Sequence, residues 1–297
     1  MKLTTRFRAL FEAPDFLFLP GAYDALSARL AERAGFDAVI VGGYSVTGAL
    51  LAAPDSSQLG LGEMTEHYRR ICDAVDLPVF VDADTGFGNV TNVRRTTREL
   101  EQAGVAGFFM EDQVFPKRCG HTPGKAVIPT KEMVSKIKTA VDARTDSDLV
   151  VMARTDALAV EGLDATIDRA ALYREAGADT LFIEAPRTVH QMRRIVGELG
   201  GLHMANMIDF GMTPDLSASE LQEIGYAAGC WGLSPIFTAA KAMADLYAQM
   251  KAEGTSRGAR DRMMTFDAFT DLVGLPEMRQ SEQAALDFAR ALVQSRK

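Results

Sequence analysis

Two aspartates separated by one residue, Asp82 and Asp84, follow the apolar run Pro78-Val-Phe-Val81. Residues two apart on a strand end point to the same face, so the two carboxylates repel each other unless a cation holds them. Asp55, in the polypeptide after the next apolar run upstream, and Glu111, at the end of Val105-Ala-Gly-Phe-Phe-Met110, would bring further oxygen donors. Hard oxygen donors without a histidine or thiolate cluster suit Mg²⁺, or Mn²⁺, and Mg²⁺ takes one or two carboxylates directly and keeps several waters. The expectation is therefore Asp84 as the direct ligand, with Asp55, Asp82 and Glu111 holding the ion's waters. The plainer alternative makes some of these acids helix caps or loop acceptors.

Anion-binding groups stand at the ends of later apolar runs. Arg154 follows Leu149-Val-Val-Met152 and can grip a carboxylate or phosphate with two parallel hydrogen bonds; its plainer role is a salt bridge to one of the aspartates. Asn206 and Ser234 could bind a second acid group, or be turn residues, and Glu184 would orient Arg154 or another donor. Cys119 lies in Lys117-Arg-Cys-Gly-His121. Its cationic neighbours should lower the thiol pKa and suit it to proton transfer. Gly120 and the later Pro123-Gly124 would let this loop fold over a bound substrate as a lid. Cys72 and Cys230 read as core residues, His67 and His190 as solvent-facing helix residues, and His203 as a strand residue. Gly86-Phe-Gly88 lacks the last glycine of a dinucleotide fingerprint, so no nicotinamide cofactor is expected.

The elements that must position these groups alternate regularly. Apolar runs Phe16–Leu19, Ala38–Val41, Pro78–Val81, Val105–Met110, Leu149–Met152, Thr180–Ile183, Leu202–Ala205 and Ala228–Trp231 read as strands, separated by segments of helical period. Asp24 and the Ser217/Glu220 pair read as helix N-caps, and Ala53-Pro54-Asp55 as part of a long loop after the second strand. Eight strand–helix units in this length favour an α/β fold of the closed (β/α)₈ barrel (TIM-barrel) type over an open doubly wound sheet. The whole chain, 1–297, reads as one barrel domain whose segment from about 236 to 297 is a helical C-terminal extension.

Composition narrows the partners. The chain has 297 residues, 47% hydrophobic and 24% charged, enough for a barrel-sized core. A net charge of −8 without a basic block disfavours nucleic acid, and a small-molecule ligand is the better expectation. No apolar run is long enough for a signal or a membrane span, which makes a cytoplasmic location the default and a membrane partner unexpected. The 3 cysteines form no CxxC pair, so neither a disulfide framework nor a structural zinc site is expected.

The Lys117–His121 loop preceded by Glu111-Asp-Gln113, with Asp82-Ala-Asp84 upstream and Ala153-Arg-Thr-Asp156 downstream, resembles the isocitrate lyase/phosphoenolpyruvate mutase superfamily. The similarity runs from about Pro20 to the C-terminus and is strongest to the branch of 2-methylisocitrate lyases, 2,3-dimethylmalate lyases and carboxyphosphonoenolpyruvate mutases. It implies a (β/α)₈ barrel in a homotetramer whose last barrel helix, Ile236 to Glu253 here, is exchanged between subunits. It implies Mg²⁺ at Asp84 with Asp55, Asp82 and Glu111 around it, and Cys119 as catalytic acid/base with Gly120 and His121 beside it on a mobile loop. Arg154, Glu184, Asn206 and Ser234 match substrate-contacting positions.

The implied reaction is magnesium-dependent carbon–carbon cleavage of a 2-methylisocitrate-like 2-hydroxy di- or tricarboxylate, giving pyruvate or another 2-oxo acid and a carboxylate such as succinate. Alternatives on the same scaffold are dimethylmalate lyase, oxaloacetate hydrolase and phosphonomutase; a non-enzymatic barrel module is the most distant. Two stretches depart from the lyase pattern: Gly42-Gly43-Tyr44-Ser45 after the second strand and Trp231-Gly232-Leu233-Ser234 at the eighth. Both fall in the expected substrate pocket and bear on substrate identity.

Overall fold

The structure, a computed structural model, describes residues 1–296. Contacts divide the chain into two units, Met1–Thr238 and a second running from Ala239 onward. The first contains eight strands: β1 (Leu17–Pro20), β2 (Val39–Val41), β3 (Val79–Asp82), β4 (Gly107–Glu111), β5 (Val150–Thr155), β6 (Thr180–Ile183), β7 (Met204–Asn206) and β8 (Ala228–Trp231). All pairings are parallel, in the orders β2-β3-β4-β5-β6 and β1-β8-β7. Single bridges, Gly21 to Ile40 and Leu181 to His203, join the two runs and close the barrel.

Helices lie between the strands: α1 (Leu3–Glu12) precedes β1, and α2 (Ala25–Arg33), α3 (Gly43–Leu51), α4 (Leu61–Cys72), α5 (Val90–Gln102), α6 (Thr130–Ala143), α7 (Leu163–Glu175), α8 (Val189–Leu199) and α9 (Ala218–Ile224) follow in turn. The expected caps form: Asp24 accepts from the Ser27 N–H, and Ser217 and Glu220 make a reciprocal capping box. The long loop expected after β2 starts with α3, and only 52–60, with Ala53-Pro54-Asp55, is loop. Gly42 and Gly43 read as chain breakers, yet Gly42 is the extended residue at the helix N-cap and Gly43 its first helical residue. Burial of Val46 and Thr47 holds the helix in place despite its glycines.

Strand alternation divides the core in two. Ile40, Phe80, Phe109, Met152, Phe182 and Met204 fill the barrel interior, and α1 closes one end with Phe7, whose ring stacks on Phe80 at 5.1 Å. The neighbours Val39, Val79, Phe108, Val151 and Leu181 point outward against the helices. Carrying the inward register two residues further along β3 to β7 gives Asp82, Glu111, Arg154, Glu184 and Asn206. One end of the barrel is therefore a ring of ionic and amide side chains standing on a ring of apolar ones.

His67 is buried rather than solvent-facing: it is 8% exposed, and its Nε2 lies 2.8 Å from the Tyr23 carbonyl, tying α4 to the segment after β1. His203 is fully buried just before β7, with Nε2 2.8 Å from the Gly200 carbonyl and Nδ1 unpaired. Burial, against the pull of the Gly200 hydrogen bond and with help from Arg174, lowers its pKa to about 4. The unfolded chain therefore binds this proton below about pH 6.5 while the folded chain does not. Stability falls as pH drops from about 6.5 to about 4, by roughly 3 kcal/mol from this residue. Denaturant melts of wild type and His203→Gln across that range are expected to show the wild type losing that much more than the variant.

The second unit holds the end of α10 (Ser234–Glu253), a 3₁₀ segment over Arg257–Arg262, α11 (Phe266–Leu272) and α12 (Leu275–Gln294). Phe266 and Phe288 are 82% and 71% exposed in the single chain. Among the described residues, no helix is long and apolar enough to cross a membrane.

Candidate active site

The acid cluster forms as the strand register dictates. Asp82 ends β3 and its carboxylate is fixed by two backbone donors, the Gly43 N–H at 2.9 Å and the Asp84 N–H at 2.8 Å. Tyr68 on α4 donates to the Asp82 carbonyl at 2.7 Å, which pins the strand end from behind. Asp84 adopts a left-handed φ of 47°, uncommon for a residue with a side chain and of a kind that gathers at functional sites. Burial pushes its carboxyl up to about 6, with Lys117 pulling against that and Asp82 and Asp55 adding to it.

Lys117 lies among these acids, its Nζ 2.8 Å from Asp55 and 3.0 Å from Asp84. Burial alone would lower its pKa, but Asp84, Asp82, Glu111 and Asp55 outweigh burial and keep it charged. The place thus calls for positive charge. Asp84 Oδ1 and both Glu111 carboxylate oxygens are buried without a well-formed hydrogen bond. Lys117 and Arg154 approach to 3.0 Å, but off the direction a hydrogen bond needs, and leave lone pairs on offer.

No three histidine, cysteine or acidic side chains among the described residues are set to ligate one ion directly. Hard oxygens, few direct ligands and orphaned buried lone pairs together fit a divalent cation such as Mg²⁺ held by one carboxylate and by waters. Asp84 would be that carboxylate.

Arg154, at the end of β5, is held by three acids. Its Nε lies 2.9 Å from Asp156 and 3.0 Å from Glu111, and its Nη2 lies 3.5 Å from Glu184. Its guanidinium lies over the Phe182 ring, 5.0 Å from the centroid. Burial would lower its pKa, but Asp156, Glu111 and Glu184 keep it charged. Glu184 does orient Arg154. It also accepts from Asn206 Nδ2 at 3.3 Å and meets His121 Nε2 at 2.8 Å. Burial alone would raise Glu184, but Arg154 and His121 hold it below the usual carboxylate range.

These groups line a cavity with roughly 550 Å³ of empty space counting its open mouth. Asp55, Asp82, Arg154, Glu184 and Asn206 form its polar wall, and Cys119 and Gly120 reach it from the loop. Gly42, Gly43 and Tyr44 line it, as do Ile208 and Leu233. Asp84 and Glu111 lie just behind, buried with Lys117 and Arg154.

Two residues expected at the substrate pocket, Ser45 and Ser234, are not among those lining this cavity. Ser45 is buried in α3 and donates to the Gly42 carbonyl at 2.9 Å, because the helix turns its side chain away from the cavity. Ser234 lies outside the cavity wall and donates to Asp209, at the start of α10.

The thiol also differs from expectation. Lys117 and His121 are committed to Asp55, Asp84 and Glu184 rather than to the Cys119 thiol. Burial pushes the thiol up, the His121 N–H and Arg154 pull it down, and Glu184 adds to the rise. The group is therefore a protonated thiol at neutral pH, the form a proton donor needs.

Four residues that hold this geometry have no role expected from the sequence. Asp156 continues the inward alternation from Arg154, a signal that period two carried. Lys125 approaches Asp156 at 2.9 Å. Asp112, pointing outward from the end of β4, accepts from Thr155 Oγ1 at 2.7 Å, Tyr173 OH at 2.8 Å and the Asp156 N–H at 3.0 Å. The Gln113 side chain bonds both the N–H and the carbonyl of Arg118 and so anchors the start of the loop. Both fall within the Glu111-Asp-Gln113 motif, but their roles are set by partners, on other elements for Asp112 and further along the loop for Gln113.

A closed parallel barrel carrying an acid cluster, a buried arginine and a loop thiol at one end defines the class as a (β/α)₈ enzyme for small acids. The chain belongs to the phosphoenolpyruvate phosphomutase family, whose model matches residues 7–251. It is 43% identical to the 2,3-dimethylmalate lyase of Eubacterium barkeri, over 95% of this chain and 98% of that protein. It is 46% identical to the probable 2-methylisocitrate lyase 1 of Corynebacterium glutamicum, over 86% of this chain and 84% of that one. Among solved structures, phosphonopyruvate hydrolase complexed with oxalate and Mg²⁺ superposes with a TM-score of 0.88 at 28% identity, covering 96% of this chain and all of that one.

Proposed function

We propose that this chain is a Mg²⁺-dependent carbon–carbon lyase that cleaves a 2-methylisocitrate-like 2-hydroxy di- or tricarboxylate to pyruvate, or another 2-oxo acid, and a carboxylate fragment such as succinate. The observation that carries this reading is that acids fit for a hard cation, Asp55 and Asp82 with Asp84 behind them, and the half-buried Cys119 thiol meet at one cavity. When bound at Asp84, Mg²⁺ supplies Lewis-acid charge to the substrate hydroxyl and its neighbouring carboxylate. Asp82, fixed by two backbone N–H groups, and Asp55 orient the water around that end, and that water carries the hydroxyl proton away to solvent as the 2-oxo C=O bond forms.

Arg154 and Asn206 hold the carboxylate of the departing fragment, where negative charge grows as the C–C electron pair moves onto its α-carbon. Glu184 and Asp156 keep Arg154 from swinging away. Cys119 then gives its S–H proton to that carbon, and His121, paired with Glu184, fixes the loop beside it. The thiol suits a carbon acceptor because it waits in its neutral form.

A second reading, a dimethylmalate-type lyase acting on a smaller methylated dicarboxylate, is favoured by the apolar wall of Tyr44, Ile208 and Leu233, which offers methyl groups a surface and a further carboxylate no cation. Incubating the protein and Mg²⁺ with 2-methylisocitrate, 2,3-dimethylmalate, oxaloacetate and phosphonopyruvate separates the readings. Pyruvate with succinate supports the first and pyruvate with propionate the second; oxalate, or a rearranged phosphonate, contradicts both. A cytoplasmic homotetramer with an exchanged α10 belongs to the same reading, and the exposed Phe266 and Phe288 support a covered face.

A further inference from the structure

Lys125 follows the Cys119 loop, and its ammonium is not at the surface: the side chain is 3% exposed. Its Nζ donates to the Gly120 carbonyl and to Asp156 Oδ1, the latter at 2.9 Å. Asp156 is fully buried and grips Arg154 through both carboxylate oxygens, Oδ2 at 2.9 Å from Nε and Oδ1 at 3.3 Å from Nη2. Its own backbone is fixed, because its N–H donates to Asp112.

Gly120 is pressed against the same groups. A methyl group on its Cα would stand 2.5 Å from both Arg154 Nη2 and Glu184 Cγ, so the peptide after Cys119 has one narrow seat. An ammonium has three donors and no acceptor, which suits it to bridge a carbonyl of the loop to a carboxylate of the barrel. Desolvating it is tolerable only because both partners are in place.

We propose that Lys125 is a positioning residue, which seats the Cys119–Gly120 peptide over Arg154 by bridging the Gly120 carbonyl to Asp156. Lys117 and His121 also pair with barrel acids, but their partners lie in the metal and substrate ends of the cavity. The Lys125 pair reaches the substrate end only through Arg154, which Asp156 grips, and its bond to Gly120 places the loop. It also completes the charge on Asp156, which burial would raise and which Arg154 and Lys125 together keep ionised. The consequence for turnover rests on Cys119 acting as the acid; the seating itself does not.

The test is the rate at which iodoacetamide labels Cys119 in the full chain, read by peptide mass mapping against Cys72 of the same molecules. Cys72 ends α4, partly buried and away from the loop, so it reports general loosening. Lys125→Met keeps the apolar stem and removes the bridge. Labelling of Cys119 is expected to rise roughly tenfold through local opening of the loop, with Cys72 unchanged and Mg²⁺ affinity within about twofold of wild type. Lys125→Arg, which keeps a cation, is expected to fall nearer wild type. On whichever substrate supports turnover, kcat should fall more than KM rises.

Cys119 labelling at the wild-type rate in Lys125→Met overturns the proposal. So does a rise shared equally by Cys72, or an Arg variant labelled as fast as the Met variant. Labelling needs no turnover, so a wild-type protein without lyase activity would contradict the proposed function and leave this test intact.

Discussion

Replacing Cys119 by alanine is expected to lower turnover roughly 10²–10⁴-fold, the usual worth of a positioned acid. Mg²⁺ and oxalate binding should stay within about twofold of wild type, since binding away from the changed group is largely independent of it. The thiol lines the cavity with Arg154, Glu184 and Asn206, and it makes no part of the acid cluster. Removing it therefore takes away a proton and little else. Burial keeps that proton on sulfur at neutral pH, with Glu184 adding to the effect. Calorimetric titration alongside steady-state kinetics checks both halves of the expectation. Near-normal turnover in Cys119→Ala would end the acid assignment.

The other large effect is expected at Asp84. Asp84→Asn should lose turnover by about 10³-fold or more, because charge stabilisation by a bound cation is worth several kcal/mol. Asp55→Asn should instead weaken Mg²⁺ about 10–100-fold, as loss of an outer-sphere partner commonly does. The distinction rests on geometry. Asp84 has a buried oxygen with lone pairs on offer and a backbone bent to φ 47° to present it, whereas Asp55 comes from the segment after α3 and is satisfied by Lys117 at 2.8 Å. Mn²⁺ titration followed by electron paramagnetic resonance would rank the two variants. Equal losses at both positions would contradict Asp84 as the single direct carboxylate.

Much of the barrel end could be read from alternation along the strands. Phe80 inward requires Asp82 inward, Phe109 requires Glu111, Met152 requires Arg154, and Phe182 requires Glu184. The same step of two reaches Asp156. The parts that escaped depend on which partner a flexible side chain chooses. Lys117 and His121 stand beside Cys119 in the chain, which favours a lowered thiol pKa, but each finds a buried carboxylate on the barrel and turns away.

Ser45 and Ser234 escaped for a local reason. Each sits in a helical turn, Ser45 within α3 and Ser234 as the first residue of α10, where the hydroxyl finds a nearby acceptor at Gly42 or Asp209. The helix α3 itself was hidden by its two leading glycines, whose weak helical preference is overcome by burial of Val46 and Thr47 against the barrel.

The central claim is that a C–C bond breaks to leave a carbanion that the protein protonates. It is tested most directly by running the Mg²⁺-loaded protein on 2-methylisocitrate and on 2,3-dimethylmalate in D₂O, with the products followed by NMR. The expected result is pyruvate and a carboxylate fragment in equal amounts, one deuterium on the fragment's former bonding carbon and none gained by the pyruvate methyl group through the enzyme. Oxalate from oxaloacetate, or phosphoenolpyruvate from phosphonopyruvate, with no cleavage of either hydroxy acid, would contradict it.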